Sequence, residues 1–118
     1  MRIGIDLESI SRVQGILNRK PRFAERILTP NEMLLFREMG ARRQAEFLTG
    51  RFSAKEAYSK AVGTGIGKLT FQDIEILGDE KGNPQVTKSP FHWKSDISIT
   101  HAGDFAAAAV ILEEDENG

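Results

Sequence analysis

The chain has 118 residues, 40% apolar and 28% charged, with a net charge of −1, the profile of an ordinary globular domain. It has no cysteine and only two histidines, His92 and His101, which excludes disulfides, thiolate metal sites and a cysteine nucleophile. No stretch approaches the roughly 20 apolar residues of a membrane span, and MRIGIDLESI has no signal-peptide core. The expectation is therefore one domain over residues 1–118, cytoplasmic and without a membrane.

In chain order, Met1–Asp6 reads as a short apolar strand. Ser9 or Ser11 can cap a helix running to about Asn18, with Ile10, Val13, Ile16 and Leu17 on its apolar face. Lys20-Pro21 breaks it. From Arg12 to Arg26 the chain carries Arg12, Arg19, Lys20, Arg22 and Arg26 against a single acid, Glu25, a local balance of +4. Thr29-Pro30-Asn31-Glu32 is a capping box with proline at the first helical position, opening a short helix that ends near Gly40. Ala41–Val62 reads as one long helix. Phe47, Ala54, Tyr58 and Ala61 form one stripe on it and Leu48 and Phe52 a second, so several neighbours should cover it. Gly63-Thr64-Gly65-Ile66-Gly67 ends that helix.

The period then changes from helical to extended. Phe71–Leu77 alternates apolar and polar, Gly78–Asn83 is turn-rich, and Gln85–Thr87 can pair back. Asp96–His101 alternates again, Ala102–Asp104 turns, and Phe105–Leu112 gives a last strand. The fold class is α+β, a long central helix packed with a mostly antiparallel sheet. The acids Glu113–Glu116 read as a solvated, frayed terminus.

Without thiolates, any metal site must rest on carboxylates, which suit hard cations such as Mg2+. Asp6, at the end of an apolar strand, is either a ligand or the cap of the next helix. Glu56 is either a ligand or half of a surface Glu56–Lys60 pair at i,i+4 spacing. As a ligand beside Lys60 it would form a pocket for a phosphate. GTGIGKLT imitates a phosphate-binding loop, but its first glycine is one residue too late, Leu69 follows Lys68, and a helix precedes it rather than follows. His101 at a strand end is either structural or functional.

Taken together, MRIGIDLESISR, GRFSAKEAYSKA, FQDIEILGDEKGNP and SITHAGDFAAAAV resemble, in order and across the chain, the motifs of the holo-acyl-carrier-protein synthases, small trimeric 4′-phosphopantetheinyl transferases. The resemblance implies transfer of the 4′-phosphopantetheine arm of coenzyme A to a serine of apo-acyl carrier protein, releasing 3′,5′-ADP and supporting fatty acid biosynthesis. It implies Asp6 and Glu56 as Mg2+ ligands and catalysis through Glu56 and Lys60, with Lys60 at the pyrophosphate. Arg51 and His101 would meet nucleotide phosphates, Arg42 or Arg43 the 3′-phosphate region, and the Gly63, Thr64, Gly65, Ile66 loop the adenine. Arg12, Arg19, Lys20, Arg22 and Arg26 would dock the acidic carrier protein. A homotrimer with sites at its subunit interfaces follows from the same resemblance. The base for the carrier serine is either Glu56 or a metal-bound water.

Two other readings compete with this one. A magnesium nuclease would call for a Glu-x-Lys spacing, which Glu56-Ala57-Tyr58 breaks, and for net positive charge, so no nucleic acid partner is expected. A carrier-binding module that had lost its chemistry would not be expected to keep both carboxylates, Lys60 and His101.

Overall fold

The computed structural model describes residues 1–114. Strand β1 (Arg2–Ser9) leads into helices α1 (Ile10–Arg19), α2 (Phe23–Ile27), α3 (Pro30–Arg37) and the 22-residue α4 (Ala41–Val62). Strands β2 (Glu75–Gly78), β3 (Pro84–Lys88), β4 (Lys94–Ala102) and β5 (Phe105–Glu113) follow. They form two antiparallel sheets, β1-β5-β4 and the hairpin β2-β3. Helix α4 spans the predicted bounds and lies across the three-stranded sheet, buried on several sides.

Two expectations are corrected and one element is added. The strand expected over Phe71–Leu77 begins only at Glu75, because Phe71–Asp73 is a 3-10 turn locked by a capping box between Thr70 and Asp73. Helix α2 was not foreseen, since its five residues are too few to display a helical period. The acidic terminus is not frayed throughout: Glu113 ends β5 and Glu114 pairs with Arg2, while Asp115 and Glu116 lie outside the described residues.

Strand β1 is inverted relative to a simple core strand. Its inward residues are Gly4 and Asp6, both buried, whereas Ile3, Ile5 and Leu7 are 60–65% exposed. The reason is contact between backbones: a Cβ on Gly4 would lie 1.8 Å from the Ala57 carbonyl oxygen of α4. Neither element can yield without breaking a ladder or a helical turn. Gly4→Ala should therefore cost at least about 3 kcal/mol in urea denaturation. Full stability in that variant would mean that α4 does not rest on β1.

Away from the sheet, Lys55 is completely buried. Its ammonium donates to Glu32 Oε1 at 2.6 Å, to the Ile27 carbonyl at 2.7 Å and to the Phe71 carbonyl at 3.1 Å. Glu32 also accepts from the Thr29 and Ile76 amides. One residue of α4 thus ties together the end of α2, the start of α3, the 3-10 turn and β2. Alongside, Glu75 accepts from Thr29, Thr87 and Asn31. Burial alone would raise its carboxyl, but these bonds and the charge of Lys55 outweigh that and hold it below the usual range. A lowered folded value stabilises above the unfolded one and is lost as pH falls through it. Glu75→Gln should accordingly lower Tm at neutral pH, and the difference should begin to shrink below about pH 4 and vanish only as pH falls through the lowered folded value. A constant Tm difference at all pH values would contradict the assignment.

Candidate active site

The close packing of β1 on α4 places a carboxylate under the helix. Asp6 is 7% exposed. Ser53 Oγ of α4 donates to its backbone carbonyl at 3.0 Å, which fixes the strand at this residue. One carboxylate oxygen, Oδ1, accepts from Lys60 Nζ at 2.9 Å, and Lys60 also donates to the Ile5 carbonyl at 3.2 Å. The other oxygen, Oδ2, is buried with no hydrogen-bond partner. An orphaned buried carboxylate oxygen is costly unless a proton or a cation meets it.

Both structural alternatives for these residues fail. Asp6 does not cap the next helix, because β1 continues to Ser9 and the Ser9 side chain caps α1. Lys60 forms its ion pair with Asp6 across the strand rather than with Glu56 on its own helix.

A third carboxylate, not singled out from the sequence, joins the pair. Glu8 follows Asp6 by two residues and so lies on the same face of β1. Burial first, then the hydrogen bond that its protonated carboxyl would give Asp6 and the Asp6 charge, raise its carboxyl to about 7, with Arg12 opposing and Glu56 reinforcing. Glu56 is raised too, first by burial and then by Asp6, with Lys60 opposing. Lys60 is shifted upward by its bond to Asp6. The signal that marks Glu8 was legible: polar residues at alternate positions of a strand whose other face is apolar.

Three acids and one ammonium converge here, yet among the described residues no preassembled cage of three metal ligands exists. That donor set fits Mg2+, which holds one or two protein carboxylates and keeps several waters. The buried, unpartnered Oδ2 of Asp6 is the specific observation in favour of the fit.

The predicted phosphate-binding residues lie farther along α4. Arg42 and Arg43 are exposed in its first turn, roughly 20 Å from Glu56 at about 1.5 Å per residue. His101 reaches the same half of the helix. Its Nε2 sits 3.3 Å from the Glu46 carbonyl, and a Cβ on Gly50 would approach it to 3.4 Å. A glycine inside a helix costs about 1 kcal/mol relative to alanine; here it admits the imidazole. Across the sheet, His101 and Glu8 are both in register with Ala106 of β5, two strands or roughly 10 Å apart. The histidine packs on α4 at Glu46 and Gly50, between the first turn of the helix and Glu56.

Arg51 is held from behind. Its Nε donates to the Ile76 carbonyl at 3.0 Å and its guanidinium stacks on Phe47 at 4.4 Å, leaving the terminal nitrogens for an anion. Gly63 ends α4 with φ 97°, and Ile66 of the same loop lines a groove of about 500 Å3 with Phe23, Arg26, Ile27, Thr70 and Phe71. The basic residues distribute over α1 (Arg12, Arg19), its C-cap Lys20, and α2 with its N-cap (Arg26, Arg22). Arg12 lies 3.8 Å from Glu8 and Arg22 3.3 Å from Glu25.

A family model described as the 4′-phosphopantetheinyl transferase superfamily matches residues 2–110. The chain belongs to that superfamily. Among its relatives, a holo-[acyl-carrier-protein] synthase of Streptococcus agalactiae is 57% identical over 114 residues, 96% of each chain. The synthase of Streptococcus uberis is 54% identical over 113 residues, again 96% of each. Among solved structures, the Bacillus anthracis holo-(acyl-carrier-protein) synthase in complex with CoA (3′,5′-ADP) superposes with a TM-score of 0.90 at 44% identity, covering 97% of this chain and 96% of that one. The Helicobacter pylori enzyme in complex with coenzyme A gives 0.83 at 38%, covering 94% and 99%.

Proposed function

We propose that this chain is a holo-acyl-carrier-protein synthase. It transfers 4′-phosphopantetheine from coenzyme A to a serine of apo-acyl carrier protein, releases 3′,5′-ADP, and serves fatty acid biosynthesis in the cytoplasm. The observation that carries the reading is the buried Asp6 carboxylate, open on one oxygen and flanked by Glu56, Glu8 and Lys60, on a fold whose relatives are holo-acyl-carrier-protein synthases.

Asp6 and Glu56 would hold Mg2+, with Glu8 beside them. The ion supplies charge neutralisation and orientation to the pyrophosphate. Lys60, which holds Asp6 and the Ile5 carbonyl in this structure, would direct its ammonium at phosphate oxygens of the bound substrate. Arg51 and His101 meet the nucleotide phosphates, Arg42 and Arg43 the 3′-phosphate, and the Gly63, Thr64, Gly65, Ile66 loop the adenine. The carrier serine Oγ attacks the phosphorus that bears the pantetheine arm, and the bond to the 3′,5′-ADP oxygen breaks. Glu56 would take the serine proton.

Arg12, Arg19, Lys20, Arg22 and Arg26 form the docking surface for the acidic carrier. The active form is a homotrimer. Its support is the outward face of β1, where Ile3, Ile5 and Leu7 are joined by exposed Met1, Phe105 and Ile111, an apolar patch that a second copy would cover. Ile5→Asp should yield a monomer in sedimentation velocity; an unchanged trimer would move the interface elsewhere.

The test of the activity is chromatographic detection of 3′,5′-ADP. Release should require apo-carrier and Mg2+ together, stop with EDTA and resume with excess Mg2+. Release without carrier would make the protein a hydrolase, and indifference to EDTA would remove the ion from the site.

A further inference from the structure

The turn that follows His101 grips the first turn of α1. Asp104 Oδ2 accepts from Ser9 Oγ at 2.8 Å and from Ser11 Oγ at 2.7 Å, and Oδ1 accepts from the Ser11 amide at 2.9 Å. The Asp104 carbonyl accepts from the Ile10 amide at 2.7 Å. Helix α1 has no acid in its own first turn, so Asp104 supplies from another element both the acceptors and the negative charge that a helix N-terminus favours. The bonds from Ser11 and Ser9 hold the Asp104 carboxyl below its usual range.

The grip matters because it fixes the end of α1 that leads out of β1. Val13 is the only fully buried residue of α1, with Leu17 half-buried against the same cluster. Both lie beyond the first residues of the helix, so the set of its N-terminal end depends on the Asp104 bonds. The clamp leads directly to the site, since Asp104 stands three residues after His101, and Ser9 one residue after Glu8.

We propose that Asp104 is a positioning residue for carrier docking: by clasping Ser9, Ser11 and the Ile10 amide, it sets the angle at which α1 presents Arg12 and Arg19 to the carrier protein. This rests on the reading that α1 belongs to the docking surface. The clasp and simple electrostatics predict opposite signs. Removing an acid beside a surface that binds an acidic partner should tighten binding through charge alone; losing the clasp should weaken it.

The experiment compares steady-state kinetics of the parent protein, Asp104→Ala, Asp104→Asn, the pair Ser9→Ala with Ser11→Ala, and the pair Arg12→Ala with Arg22→Ala, varying apo-carrier and coenzyme A separately. Asp104→Ala should raise KM for the carrier roughly five-fold, the factor expected for a lost helix cap of ordinary strength, with KM for coenzyme A unchanged. The effect should persist at high salt, because hydrogen-bond geometry rather than long-range charge carries it. Asp104→Asn, which keeps the acceptor for the Ser11 amide, should fall between. Amide exchange should quicken in Ile10–Arg19 and remain slow in α4. Should Asp104→Ala fail to fold, the serine pair tests the same clasp with the acid in place.

A carrier KM that is unchanged or lower in Asp104→Ala and in the serine pair, but raised in the arginine pair, overturns the clasp and leaves the docking surface standing. If the arginine pair also leaves carrier KM unchanged, the docking reading fails and the clasp fails with it.

Discussion

Asp6→Asn and Glu56→Gln should each reduce kcat/KM for phosphopantetheine transfer by about 100-fold or more, while the protein stays folded. The loss is large because each carboxylate would hold the cation that meets the charge developing on the phosphate, and one such electrostatic contribution removed costs about 100- to 1000-fold. The two variants should differ in stability. Asp6 carries the only buried side-chain oxygen without a partner among the described residues, and Glu56 is raised by the Asp6 charge. Neutralising Asp6 removes that repulsion and also the Lys60 ion pair, so its net change should be small. Glu56→Gln removes repulsion without removing a bonded partner and should leave the protein as stable as its parent or more so. Isothermal titration should give weaker Mg2+ binding for both. Parent-like turnover in Glu56→Gln would take Glu56 out of the chemistry.

Lys55→Ala should destabilise the protein by about 3–5 kcal/mol, the range for removing one partner of a buried ion pair. Glu32 would be left charged and fully buried, and the Ile27 and Phe71 carbonyls would lose their donor. Because these groups connect α2, α3 and the 3-10 turn, the loss should appear first as amide exchange around Ile27–Glu32. Lys55→Met with Glu32→Gln should recover part of the stability, since both charges leave together. A loss under about 1 kcal/mol for Lys55→Ala, within the range of exposed pairs, would contradict the burial of this pair.

Much of the fold was legible where one local signal dominates. The Thr29–Glu32 capping box and the change from helical to alternating period after Gly63 placed α3, α4 and most strands. What resisted reading depends on contacts distant in sequence. Glycine at position 4 is ambiguous until α4 lies 1.8 Å from where its Cβ would be. Lys55 and Lys60 share one helix, yet one is completely buried and the other exposed. Periodicity could not assign them, because Lys55 faces inward only once Glu32 and two carbonyls gather around it. Asp6, Glu56, Lys60 and His101 were named from the chain. Glu8 escapes that reading because a strand that ends at Asp6 leaves it outside, whereas β1 runs on to Ser9. The basic stretch is visible as charge, but Asp104, the device that orients Arg12 and Arg19 within it, lies near the other end of the sequence.

The most direct measurement is the intact mass of apo-acyl carrier protein after incubation with this protein, coenzyme A and Mg2+. The carrier should gain the mass of one phosphopantetheine arm, and a carrier whose acceptor serine is replaced by alanine should gain none. A folded, competent carrier that gains no mass with the parent protein would contradict the account.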